Sequence, residues 1–284
     1  MSLESVVVLS ALDSQVAREF LCESVGSPQN IAPLPRVCAQ LAELTAQQAI
    51  DAAQLARLIQ SDPALAGEIM RVANSPALRP RGAIVSLQQA VSWLGVAEVR
   101  NIAMAVMLRG EVFVAPGHEP ESEELWREAW LAGLWAKEIA RERRKHVESA
   151  FLAGLMHRTG AALALKILSR FELEKRTVMD AHTFADLVVE FEPAFGRLLM
   201  DSWLLPKDVQ AAASDWRNYR ESSQSDLAGT VHAAHLMATH TMHPQLLDEE
   251  LVLESPVFEQ LGVFPDDRRR LLSKRDQVRS MAGI

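Results

Sequence analysis

The sequence predicts an all-α protein, and three observations carry that prediction. Ala, Leu, Glu, Gln and Arg dominate nearly every segment, and apolar residues recur at three- and four-residue spacing. Sustained alternating runs of β-branched residues are absent. Of 284 residues, 49% are hydrophobic and 23% charged, a balance that excludes extended disorder and fits one large or two modest cores.

The elements can be justified in order. Residues 5–10 are strand-like, either a strand or the lead-in to a helix. Thr45 with Gln48 forms a capping box ahead of a helix over 49–60. Asp62 then N-caps a helix with Pro63 at its first position. Ser86 with Gln89 is a second capping box, and Gly95 stops that helix. A further helix covers 99–108. Residues 110–123 hold Pro116, Gly117 and Pro120 and mark a subdomain boundary. After it Trp126, Trp130, Leu131, Leu134, Trp135 and Ile139 share one helical face, read as interior or in part as a docking surface. A very apolar stretch, 150–168, is interrupted near Thr159 and Gly160. Later helices are expected over 185–203, 206–216 and 225–241, and the tail reads as two short helices parted by 262–265. The domain reading is an N-terminal extension (1–30), an N-terminal helical subdomain (31–115) and a second helical subdomain (116–284).

Net charge is −8, from 29 basic and 37 acidic residues, which argues against non-specific nucleic-acid binding. Cys22 and Cys38 form no CxxC pair, so a reducing cytoplasm is the expected setting. The first twenty residues lack a basic region of signal-peptide type, and no membrane span is expected.

Asp62-Pro63-Ala64-Leu65, then Ala73-Asn74-Ser75-Pro76, then Ile84, Ser86, Ala90 and Leu94-Gly95 appear in fixed order. Taken alone, Asp62, Asn74 and Ser75 are capping and turn residues. The order as a whole resembles the HDOD module of bacterial signalling proteins, from about Leu34 to near Ser273. An Arg79-Pro80-Arg81 loop departs from the more aromatic, glycine-containing loop usual there. The resemblance implies an N-terminal helical bundle packed on a diverged HD-like bundle. It further implies a non-catalytic signal-transduction module that binds protein partners.

The HD hydrolases to which that module is related hold metals with a His, a His-Asp pair and a later Asp. On that pattern the positions here are Glu128, His157-Arg158 and His235. Arginine cannot ligate a metal and stays charged. No metal, no cofactor and no catalytic residue are therefore expected, and Arg158 is expected to pair with an acid such as Glu128. Two alternatives stay open. Glu128, His157 and His235 could form a two-histidine, one-carboxylate site of a phosphohydrolase. Arg158 and His157 could instead hold a small anion or nucleotide in the old cavity.

Other features carry weaker expectations. His232 and His235 share a face with His240 and His243 nearby, a weak zinc pattern. Residues 86–108 have helix-turn-helix order, but the second helix is too apolar for a DNA groove. The basic runs 141–146 and 268–275 read as solvated helix ends, the first also as an anion or partner patch.

Overall fold

The structure is a computed structural model that describes residues 7–8, 11–27, 55–56, 59–60, 63–76, 78 and 82–283. Asp62, the Thr45–Gln48 box, the 79–81 loop and Cys38 lie outside the described residues. The described elements are almost all helical, as the composition requires. The exception is a parallel pairing of Val7–Val8 (β1) with Thr177–Val178 (β2), so the strand reading of residues 5–10 holds for two of them. Between these strands the chain forms α1 (Ala11–Val25), α2 (Pro63–Ala73), α3 (Leu87–Leu94), α4 (Val96–Glu111), α5 (Glu119–Glu142), α6 (Val147–Met156) and α7 (Thr159–Lys175). After β2 come α8 (Ala181–Ser202), α9 (Lys207–Ser214), a single 3-10 turn (Trp216–Asn218) and α10 (Ser225–Met242).

The tail corrects the expectation of two helices. It forms four: α11 (Glu249–Leu253), α12 (Pro256–Gln260), α13 (Pro265–Leu272) and α14 (Arg275–Ala282). Asp248 caps α11, and prolines at the start of α12 and α13 open each new helix.

The N-terminal helical bundle is built by its signature residues. Helix α2 opens at Pro63, and Leu65, Ile69 and Val72 are buried on one of its faces. Asn74 does more than cap. Its Nδ2 donates to Met70 O (3.0 Å) and Ile84 O (2.9 Å), and Ile84 N donates back to its Oδ1 (2.9 Å). One side chain thus ties the end of α2 to Ile84, ten residues on, in the approach to α3. Ser86 Oγ accepts from Gln89 N (3.2 Å), while Gln89 Oε1 reaches Val85 N, one residue before the cap (3.0 Å). Gly95 sits at φ 83°, ψ 157°, a region reserved for glycine. It lets α4 leave α3 at 114°. Val99, Ile102 and Ala103 of α4 are buried, in keeping with core packing rather than a DNA-reading role.

Helix α5 is the axis of the second bundle. Helices α6 and α10 pack along it, and α8 packs on α7. Trp126, Trp130 and Trp135 are all buried, and Trp135 Nε1 donates to Thr241 Oγ1 of α10 (3.0 Å). Lys137, 2% exposed, joins α5 to Glu98 of α4 and so links the two bundles. The 29-residue stretch Val147–Lys175 meets the length and apolarity needed to cross a membrane. Its apolar window is 83% buried inside the chain, as in a core helix pair.

Both basic runs are only partly solvated, which corrects that reading. Arg143 is buried in its side chain and donates to Leu261 O (2.9 Å), Thr230 Oγ1 (3.0 Å) and Asp226. Arg268 is buried and donates to Val263 O (2.8 Å) and Leu253 O (2.6 Å). Guanidinium groups here satisfy the backbone carbonyls left by short helices.

Two glycines permit the helix crossings. A Cβ on Gly154 would fall 2.7 Å from Ala132 O of α5, and one on Gly160 would fall 1.9 Å from Glu192 O of α8. Neither obstacle is a flexible side chain. Gly160→Ala is expected to cost about 3 kcal/mol in urea unfolding, the upper range for overpacking. Asn74→Ala is expected to cost about 2 kcal/mol by leaving the Ile84 backbone unpaired. Values near zero for either would contradict the contacts described.

Candidate functional site

The break between α6 and α7 places the candidate site. His157 is the C-cap of α6 and Arg158 the N-cap of α7, so both leave the helix pair at its turn. Glu128 faces them from α5 and His235 from α10. The four residues named from the sequence therefore meet in one cluster.

His157 is 2% exposed. Its Nδ1 lies 2.6 Å from Gly154 O. A carbonyl only accepts, so Nδ1 carries the proton and Nε2 of the neutral ring carries a lone pair. That Nε2 lies 3.2 Å from His235 Nδ1, which lies 2.8 Å from Glu128 Oε1. Both neighbours of His235 Nδ1 are acceptors, so His235 donates there. Glu128 Oε2 accepts from Arg158 Nε (3.0 Å). The pairing of Arg158 with Glu128 expected from the sequence is present.

Reading the sequence missed the second carboxylate. Glu192 of α8 is 3% exposed and accepts from Arg158 Nη1 (2.5 Å) and from Arg217 Nη1. A signal was there: Glu192 lies on the apolar stripe of Val188, Phe195 and Leu199, where an acid needs a buried partner. Trp216 was also missed. Its ring packs against His235 at 4.2 Å and edge-on to His157 at 5.1 Å, with the Arg217 guanidinium 4.2 Å over it. This lid of indole keeps the cluster dry.

The electrostatics follow from that dryness. Burial would raise the Glu128 carboxyl, but the Arg158 guanidinium, with help from His235, outweighs it and holds the carboxyl well below the usual carboxylate range. Burial, then the neighbouring His235, pushes His157 well below its ordinary value, so the ring stays neutral. Burial opposes the charge on Arg158 too, yet Glu128 and Glu192 together raise it. Two carboxylates and two guanidiniums balance.

Glu128, His157 and His235 present ligand atoms within 4.8 Å of one another and are the set that could hold a cation. Among the described residues no other group of three does so. The zinc pattern dissolves: His232 Nδ1 pairs with Trp216 O (3.1 Å), His240 Nδ1 with Leu247 O (2.8 Å) and His243 with Glu124.

Two outcomes are expected. Arg158→Met leaves two buried carboxylates facing each other and should cost about 3–5 kcal/mol, with much of it recovered by adding Glu128→Gln and Glu192→Gln. Acid sensitivity should also begin early. The depressed His157 contributes stability that is complete above the unfolded value of about 6.5 and is lost as pH falls toward its folded value. Glu128, also depressed, adds a loss only below about pH 4. Thermal unfolding between pH 7.5 and 5 should show a falling midpoint that His157→Gln flattens. An unchanged pH slope in that variant would refute the buried neutral ring.

Comparison with known proteins bears on the origin of this arrangement. A Treponema pallidum (strain Nichols) protein without an assigned function is 21% identical over 221 residues, 73% of this chain. The chain spans 42% of that relative's length. Among solved structures, a Shewanella amazonensis SB2B protein provisionally named a metal-dependent phosphohydrolase superposes with a TM-score of 0.71. The two are 19% identical, and the match covers 94% of this chain and 99% of that one. An HDOD domain protein of unknown function from Geobacter sulfurreducens gives 0.69 at 17% identity, covering 94% and 97%. A protein from Marinobacter aquaeolei VT8, provisionally named for signal transduction, gives 0.66 at 21% identity, covering 98% and 67%. Identities this low show a shared fold. The HDOD domain family itself matches residues 31–218, about two thirds of the sequence, and the chain belongs to that family.

Proposed function

We propose that this chain is a non-catalytic signal-transduction module of the cytoplasm that acts by binding a protein partner. In this reading Arg158 has replaced the metal chemistry of an HD hydrolase. The observation that carries it is the pairing of Arg158 with both Glu128 and Glu192 in a buried cluster.

The cluster does not fit the metals of that hydrolase class. The acid of the His-Asp pair is the guanidinium of Arg158, whose positive charge takes one oxygen of the carboxylate that a metal would need. His235 Nδ1 donates to the other oxygen, so ligation through that nitrogen would need its proton moved to Nε2 and the bond to Glu128 given up. His157 Nε2 and both oxygens of Glu128 already accept from neighbours. A dication roughly 5 Å from Arg158 would meet several kcal/mol of repulsion even at an effective dielectric near 20. No step of hydrolysis is therefore assigned to these residues. An anion held by Arg158 is disfavoured by the same bookkeeping, since both working faces of the guanidinium meet carboxylates. The two-part organisation, 31–115 and 116–284, with 1–30 as an extension, belongs to the same proposal. It is supported by the non-helical connection of residues 112–118 between α4 and α5.

Elemental analysis of the purified protein, with hydrolysis of bis-p-nitrophenyl phosphate in added manganese, tests the reading. Substoichiometric metal and no turnover above buffer are expected. One or two bound metals per chain, with turnover lost in His157→Ala, would overturn it.

A further inference from the structure

A second built site lies on a different face of α5, between the two bundles. It is a cleft closed by α2, α4, α5 and the end of α14. Its deep end, about 220 Å³, is lined by Val72, Ile102, Ala105 and Val106. Its mouth, about 400 Å³, is lined by Arg71, Arg109 and Arg127 with Glu68 and Glu123. Trp126 and Trp130 line both ends.

Three features give this cleft a chemistry. First, among the described residues three guanidiniums meet two carboxylates, which leaves one positive charge in excess. Arg71 uses Nε and Nη2 on Glu68, and Arg109 Nη2 and Arg127 Nε share Glu123. Arg71 Nη1, Arg109 Nη1 and both Nη atoms of Arg127 have no partner among the described residues. These ion pairs are half-exposed and weak, so an incoming anion can compete for them. Second, Trp126 and Trp130 are 7% and 6% exposed, and neither indole N–H is hydrogen-bonded among the described residues. Third, the two rings are nearly parallel, 8° apart with centroids at 6.0 Å, and the Arg109 guanidinium lies 5.8 Å over Trp126. Flat aromatic and guanidinium surfaces of this kind stack on planar rings.

We propose that this cleft binds a small organic anion: a phosphate or carboxylate carried on a flat, largely apolar ring. The charged end takes the free guanidinium donors and the ring enters between the indoles and the aliphatic end. The site is separate from the Arg158 cluster. Glu123, Trp126, Arg127 and Trp130 fall on one face of α5, and Glu128 is turned about 100° from Arg127. Because Arg71 and Arg109 come from the N-terminal bundle and the tryptophans from the second, an occupant would touch both.

The test titrates the full chain with four probes: guanosine 5′-monophosphate, 1-naphthyl phosphate, ribose 5-phosphate and inorganic phosphate. Indole fluorescence and calorimetry are the readouts. Both aromatic probes should saturate with Kd below ~1 mM, and the two without an aromatic ring should bind at least about tenfold more weakly. Arg71→Gln with Arg109→Gln, folded by circular dichroism, should weaken the aromatic probes about tenfold or more. Val106→Trp, which fills the aliphatic end, should erase the preference for an aromatic ring. The proposal is overturned if neither aromatic probe saturates, if the probes without an aromatic ring bind equally well, or if the arginine variants bind unchanged. Loss of binding in Arg217→Gln instead would place the anion in the Arg158 cluster and also overturn it.

Discussion

Arg158 and the two carboxylates it holds, Glu128 on α5 and Glu192 on α8, constrain much of the second bundle. Three buried charges cannot be rearranged one at a time, because any lost partner strands a charge out of water. The backbone fixes where they meet. Gly160, two residues after Arg158, brings α7 so close to α8 that no Cβ fits between Gly160 and Glu192 O. The crossing sets the distance from which Arg158 reaches Glu192. Gly154 does the same between α6 and α5, which carries Glu128. Charge geometry and helix packing are one constraint seen from two sides.

The direction of the hydrogen bonds extends that constraint. Gly154 O fixes the proton of His157 on Nδ1, which leaves Nε2 to accept from His235, which in turn donates to Glu128. Donation diverges from the single Nδ1–H of His235, shared between His157 Nε2 and Glu128, and Glu128 accepts from Arg158 as well. Trp216 covers it, and the Arg217 guanidinium spans from that ring to Glu192. His157 thus has one tautomer that satisfies its neighbours. That uniqueness supports the reading of a cluster that holds a bundle together over one that turns over a substrate.

Much of this was legible in the sequence, and the limits have physical causes. The all-α class followed from composition and periodicity, and the break at His157-Arg158 from Thr159 and Gly160. Gly95 read as a helix stop because its conformation admits little else. Residues whose partners lie far along the chain were harder. Glu192 and Trp216 complete the cluster from 34 and 58 residues beyond Arg158, and only the misplaced acid on an apolar stripe hinted at one of them. The arginines were misjudged for a related reason. Arg143 and Arg268 look like solvated charges, yet they bind carbonyls that only the folded tail presents. Four short helices arose in place of two because each proline or capping acid restarts a helix before the last has grown long.

The signature of the N-terminal bundle has a structural logic of its own. Asn74 closes a loop through three backbone hydrogen bonds, Ser86 caps α3, and Gly95 turns the chain sharply into α4. None of the three is placed to act on a substrate; each settles the course of the backbone. A motif made of such residues specifies a shape. In the second bundle Arg158 likewise satisfies its neighbours, Glu128 and Glu192. Selection on the two halves would then act on the surfaces they present and on how firmly they are joined. The joint is concrete: Lys137 of α5 buried against Glu98 of α4. The cleft of Arg71, Arg109 and the two indoles is likewise lined from both sides. A ligand there would change the cohesion of the halves without any bond being made or broken.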